Sequence, residues 1–292
     1  MEDYRHFYQK YLQLAPYESP FSYRKHSTIG CGGEAKIAFY PRTIDEAVSL
    51  LRELEKDKQK YVVLGALSNV LPPDGLSDTI VVSTKRLVGL EEDNFFLAGK
   101  TVGSFLKSCK VMGKSGAEFL VGIPCTLGGA VYMNAGAAGV YIDTIFQKAL
   151  VYKDGKLHVY EKTDCHYAYK QSVFMQDGGV ILGVWLDLKP AKQEEIDDRL
   201  AFFREKRKDL PKGRSMGCVF KNPFGFYAGR LIEEAGLKGK RIGGAYVSYS
   251  HANFILNDEG SSQDVKDLIK LIKAAVYERF KIKLEEEIRY LQ

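Results

Sequence analysis

Apolar residues recur at helical spacing through TIDEAVSLLRELEKDKQ, with Thr43 ahead of Asp45 and Glu46. A hydroxyl able to cap the first turn, carboxylates at its positive end and an i, i+3, i+4 apolar stripe predict an amphipathic helix. The period then changes. KYVVLG and TIVVST are short apolar blocks rich in β-branched residues, which predict buried strands. VGSFLKSCKVMGKSG returns to helical spacing and should close at Gly113 or Gly116. From Ala149 to Pro190 the pattern is strand-rich. ALVYKDGKLHVYE predicts a hairpin turning at Asp154-Gly155, and GGVILGVWLDLKP one long strand running to Pro190. AKQEEIDDRLAFFREKRKD predicts a charged helix of the kind that connects domains. FYAGRLIEEAGLKG predicts a helix stopped at Gly236, and SSQDVKDLIKLIKAAVYERF one capped by Ser261 or Ser262.

This order of βα units, a strand-rich block and a second α/β block predicts an α+β protein of two domains. The first would span 1–190 in two lobes, about 17–85 and 86–190, and the smaller second domain 191–292.

Composition narrows the function classes. The 292 residues carry 42 basic and 37 acidic side chains, a net charge of +5. The lysines are dispersed among glutamates rather than gathered in a basic stripe, which argues against nucleic-acid binding. No run approaches a membrane span, and the start, MEDYRHFYQKYLQLAPYE, is charged and helix-like without a signal peptide's apolar core. Five scattered cysteines form no CxxC and no Cys/His cluster, which predicts reduced thiols, no metal and a cytoplasmic protein. The sequence does not give the oligomeric state; a monomer is the working expectation.

Glycines gather in four places: GCGG (30–33), LGALSN (64–69), GIPCTLGGAVYMNAGAAG (122–139) and IGG (242–244). Each could be a tight turn. Together they could instead expose backbone amides to a phosphate or pyrophosphate. The spacing matches neither GxGxxG nor GxxxxGK[ST].

GIPCTLGGAVYMNAGAAG resembles the GIPGTxGGAxxxNAGA signature of the UDP-N-acetylenolpyruvoylglucosamine reductases, also called UDP-N-acetylmuramate dehydrogenases. GCVFKNP (217–223) resembles that family's G-S-x-F-K-N-P, and AGRLIEEAGLKGKRIGGAYVSYSHANFILN (228–257) is similar almost throughout. The terminal LEEEIR is similar to L-x-x-E-V-R. The resemblance runs from about His26 to the C-terminus and fits the family's compact branch. It implies a two-lobed FAD-binding domain, like that of the vanillyl-alcohol oxidases (the PCMH type), followed by a substrate-binding domain. It also implies non-covalent FAD, NADPH as co-substrate and UDP-GlcNAc-enolpyruvate as the substrate reduced to UDP-MurNAc in peptidoglycan synthesis.

Carried over position by position, the resemblance implies FAD contacts from Gly65, Ser68, Asn69, Gly122, Ile123, Pro124, Thr126, Gly128, Gly129, Asn134, Ala135 and Gly136. Cys218 stands where the family has a proton-donating serine, and Glu287 at its catalytic glutamate. Lys221 and Asn222 would bind substrate or nicotinamide nucleotide. Three residues depart from the pattern. Lys170 replaces a catalytic arginine in a Y-R-x-S-x-F segment, Leu67 the second glycine of G-x-G-S-N, and Cys125 a glycine of the signature. Lysine keeps the charge but loses the planar two-pronged grip. Leucine disfavours positive φ and would put a side chain where phosphate approaches. These departures also motivate a second reading: a diverged nucleotide- or flavin-binding relative without turnover, serving as a sensor or partner protein.

Overall fold

In a computed structural model, which describes residues 4–89, 92 and 94–291, the chain forms two compact units. Met1 to Asp3, where the N-terminal helical reading begins, lie outside the described residues. Arg5–Tyr8 forms a 3-10 turn rather than the start of a long helix.

The first unit comprises 1–20, 36–66 and 78–208. It is built on two sheets, one to a lobe. In one, strands run in the order Tyr17–Glu18, Ala38–Phe39, Ile80–Ser83, Tyr61–Leu64, the last three mutually parallel. The predicted helix Ile44–Lys56 belongs with them, and Thr43 Oγ1 accepts the Glu46 amide at 3.1 Å. Leu50, Leu51 and Leu54 are fully buried, so the apolar stripe is the face turned to the core. The other lobe is an antiparallel sheet in the order Lys156–Glu161, Phe146–Lys153, Val180–Leu186, Phe95–Leu97. Asp154 and Gly155 turn its hairpin with φ of 50° and 75°, the left-handed pair that a two-residue turn of this hand requires. One buried cluster runs through both lobes.

The long strand to Pro190 is broken. Its main part ends at Leu186, and Lys189–Pro190 pairs separately with Lys114–Ser115. The helix Gln193–Glu205 is not a free connector. Ile196 and Leu200 are buried in the first unit's core, and Arg199 Nη1 donates to Ser115 Oγ at 3.0 Å.

The second unit comprises 21–35, 67–77 and 209–292. Its main sheet is antiparallel, ordered Ser215–Cys218, Phe254–Asn257, Ala245–Val247, Arg241–Ile242, with helices Ala228–Glu234 and Ser262–Phe280. The boundary expected near residue 190 therefore falls elsewhere, and two N-terminal segments belong to this unit. The reason is packing and pairing. Ile29, Cys31 and Leu71 are fully buried in the second core, and Val70–Leu71 runs parallel to Arg289–Tyr290. The molecule is α+β, as expected.

Candidate active site

The candidate residues divide between the units. Gly65, Gly122, Ile123, Pro124, Thr126, Gly128, Gly129, Asn134, Ala135, Gly136 and Lys170 lie in the first. Ser68, Asn69, Cys218, Lys221, Asn222 and Glu287 lie in the second.

In the first unit the signature stretch becomes an extended loop, the helix Leu127–Tyr132 and a hairpin, Gly136–Ala137 with Val140–Tyr141. Thr126 caps the helix, its Oγ1 accepting the Gly129 amide at 3.3 Å. Three of the glycines are explained by close packing. A Cβ on Gly65 would collide with Thr126 Oγ1, one on Gly128 would sit 2.9 Å from Ala98 Cβ, and one on Gly136 would collide with the Val140 carbonyl. Gly129 differs: a Cβ there would meet only Thr126 Oγ1, at 3.4 Å. Gly122 (φ +76°) and Pro124 are exposed. The Leu127 and Gly128 amides are engaged by the Lys100 and Ala98 carbonyls, both at 2.9 Å.

A cation contacts this stretch directly. Arg207 Nη2 donates to the Gly122 carbonyl at 3.2 Å. Burial pushes the Cys125 thiol up to about 12, against the downward pull of Lys170 and Arg207. The exposed Gly122 and Pro124, with the Arg207 guanidinium beside them, leave room and positive charge compatible with the pyrophosphate of FAD. Arg207 was not among the sequence candidates, because EKRKD reads as a solvated charge run. A raised thiol pKa disfavours the nucleophilic thiolate at Cys125.

Asn134 is almost completely buried at φ +43°, and both ends of its side chain are engaged. Nδ2 donates to the Ala168 carbonyl at 3.0 Å, and Oδ1 accepts the Asp143 amide at 3.2 Å. Lys170 lies two residues beyond Ala168, at φ +54°.

In the second unit the C-terminal segment runs beside the strand after Cys218. Glu287 N–H donates to the Val219 carbonyl and Lys221 N–H to the Glu285 carbonyl, both at 2.8 Å. Cys218 ends a bulged strand that turns through Gly217 at φ +77°. The two predicted acids are thus brought onto adjacent backbone segments. Asn253, buried, holds the segment as a backbone surrogate: its Oδ1 accepts the Phe220 amide at 2.9 Å and its Nδ2 donates to the Phe220 carbonyl at 2.8 Å. Asn69 does the same for the other acid, Nδ2 donating to the Glu287 carbonyl at 3.1 Å. Lys221 pairs with Glu285 at 2.5 Å, and Asn222 Oδ1 accepts the Ala228 amide at 3.0 Å, closing the loop between them. Asn253 was also missed; its only signal was its place in SHANF.

Leu67 adopts a left-handed backbone, at φ +52°, but its side chain is only 3% exposed. It is tucked into the fold rather than standing over an open loop. The other two glycine clusters are occupied by the protein itself. A Cβ on Gly33 would collide with the Gly75 carbonyl, and the Gly244 amide donates to Asp264 Oδ2 at 3.3 Å. Among the described residues no three His, Cys, Asp or Glu gather as a metal site, and no helix is long and apolar enough to cross a membrane.

Two family models match the chain: an FAD binding domain over 35–160, and the UDP-N-acetylenolpyruvoylglucosamine reductase C-terminal domain over 208–291. A UDP-N-acetylenolpyruvoylglucosamine reductase of Streptococcus pneumoniae strain JJA is 36% identical over 274 residues, covering 91% of each chain. UDP-N-acetylenolpyruvoylglucosamine reductase 2 of Bacillus anthracis is 36% identical over 276 residues, 92% of this chain and 90% of that one. The crystal structure of the Thermus caldophilus UDP-N-acetylenolpyruvylglucosamine reductase superposes with a TM-score of 0.83 at 33% identity, covering 95% of this chain and all of the other. With both domains matched, in the order the motifs require, the chain belongs to the UDP-N-acetylenolpyruvoylglucosamine reductase family.

Proposed function

We propose that this chain reduces UDP-GlcNAc-enolpyruvate to UDP-MurNAc with NADPH, as an FAD oxidoreductase of peptidoglycan precursor synthesis. Family membership over nine-tenths of the chain is the observation that carries the reading. No observation favours the sensor alternative.

Bound FAD would supply the hydride relay from NADPH to the enolpyruvyl double bond. Gly122 to Gly129, with Arg207 at their edge, would hold its pyrophosphate. Hydride arriving at the terminal carbon leaves an enolate-like charge on the carboxylate side, and the neighbouring carbon then needs a proton. Lys170 would stabilise that charge by its ammonium group. Cys218 would deliver the proton, and a thiol, with an ordinary pKa of about 8.5, releases it more readily than an alcohol does. Glu287, beside Val219, would be the second acid–base group. Lys221 and Asn222 would hold the nucleotide part of the substrate or of NADPH. The dispersed charge and the nucleotide substrates suit a cytoplasmic enzyme without nucleic-acid partners.

Mass spectrometry of the product tests this. Incubation with FAD, NADPH and UDP-GlcNAc-enolpyruvate should add two hydrogens to the substrate and consume one NADPH for each. Unchanged substrate in the presence of bound FAD would refute the activity.

A further inference from the structure

The geometry points to Asn134 as a positioning residue: it holds the turn that carries Lys170, rather than contacting the cofactor. The inference rests on the reading of Lys170 as the group that steadies the substrate's carboxylate end.

Ala168 and Gln171 exchange both backbone hydrogen bonds, at 3.2 and 3.0 Å, so Tyr169 and Lys170 form the tip of a tight turn. Lys170 is left-handed at φ +54°, a conformation that costs a lysine about 1–2 kcal/mol. Two side-chain hydrogen bonds tie the flanks of this turn to one place, and at its tip the Tyr169 ring meets Tyr141 edge-on. Asn134 Nδ2 donates to the Ala168 carbonyl at 3.0 Å. Ser172 Oγ donates to the Tyr132 carbonyl at 2.6 Å. Both reach the same place, the C-terminal end of the helix Leu127–Tyr132. That helix begins at Thr126, in the glycine-rich stretch.

The chemistry of Asn134 suits a tie. It is 2% exposed, its acceptor is occupied by the Asp143 amide and its amide donates to Ala168. Asparagine also tolerates the left-handed backbone found there, at φ +43°. A lysine tip lacks the fixed fork of an arginine, so the location of its charge depends more on the backbone beneath it.

Asn134→Asp tests this. It preserves shape and the acceptor for Asp143, and it replaces the donor facing Ala168 with a carboxylate oxygen. Ser172→Ala removes the other tie and guards against a local folding defect in the first variant. Hydrogen exchange over residues 166–173, FAD affinity by flavin fluorescence, and the rate of flavin reoxidation by UDP-GlcNAc-enolpyruvate are measured for both. Exchange should quicken across the turn, and reoxidation should slow by about tenfold to a hundredfold, the penalty of a displaced group. FAD affinity should stay within about threefold of wild type. The double variant Asn134→Asp/Lys170→Ala should be no slower than Lys170→Ala, because the tie acts through Lys170.

Unchanged exchange would overturn the proposal, as would a double variant whose losses multiply. Weakened FAD binding with an intact turn would make Asn134 a cofactor ligand instead. If Lys170→Ala turns over normally while exchange in Asn134→Asp quickens, the reading of Lys170 has failed; the tie then exists without a catalytic purpose, and the proposal falls with it.

Discussion

Leu67 stands at φ +52° with its side chain buried, and two effects of comparable size meet there. The left-handed backbone costs a leucine about 1–2 kcal/mol relative to glycine. Removing a buried leucine side chain costs about 2–5 kcal/mol. Leu67→Gly should therefore lose between about 0 and 4 kcal/mol, about 2 at the centre of the range, in urea denaturation of the flavin-free protein. A more stable glycine variant would show that backbone strain outweighs burial. The sequence pattern indicated that this position needs positive φ. It could not indicate where the side chain goes, because that depends on distant packing. Cys218 shows the same limit. Its place in GCVFKNP marked it, whereas the pairing of Glu287 with Val219 had to be found in three dimensions. If Cys218 is the proton donor, Cys218→Ala should slow flavin reoxidation by substrate about 10²–10⁴-fold and leave NADPH-driven reduction nearly intact. Cys218→Ser should restore much of the loss. Equal slowing of both half-reactions in stopped-flow absorbance would make Cys218 a packing residue.

The helix Ser262–Phe280 shows what was readable at the scale of an element. Its capping box is local: Ser261 Oγ accepts the Asp264 amide at 3.0 Å, and Asp264 Oδ2 accepts the Ser261 amide at 2.9 Å. The spacing in the sequence narrowed the cap to Ser261 or Ser262, and the structure has Ser261. Asp74 completes the cap from 188 residues earlier, its carboxylate accepting the Ser262 and Gln263 amides at 2.7 and 2.9 Å, and nothing local in the chain announces that. Hydrogen bonds from the Ser261 and then the Gly244 amide hold the Asp264 carboxyl below its ordinary value of 3.8. The charged form is favoured by folding, so its contribution is complete above that value and is lost as pH falls below it. Asp264→Asn should therefore show a shallower fall in Tm than wild type between about pH 4 and pH 2. Parallel slopes would mean that the carboxylate is not a stabilising cap.

For the whole molecule, the pattern of periods gave the α+β class and the two lobes of the first unit, since long helices and hairpins carry their own signal. It missed the inclusion of 21–35 and 67–77 in the second unit. Strands such as Val70–Leu71 and Glu34–Ala35 are two residues long and have no period to read. Val70–Leu71 is fixed by the burial of Leu71 and by pairing with the C-terminal strand, and Glu34–Ala35 by pairing with Phe21–Ser22 and Leu76–Ser77. Close packing accounts for glycines in every cluster, Gly33, Gly65, Gly128 and Gly244 among them; within 122–129 the exposed residues are Gly122 and Pro124, which is where we propose that the dinucleotide approaches. The central claim is that this chain is a flavin-dependent reductase of UDP-GlcNAc-enolpyruvate. Anaerobic absorbance of the FAD-loaded protein tests it most directly. NADPH should bleach the flavin bands, and UDP-GlcNAc-enolpyruvate added afterwards should restore them within turnover time. Bands that bleach but are not restored by the enolpyruvyl substrate, or that never form with added FAD, would contradict it.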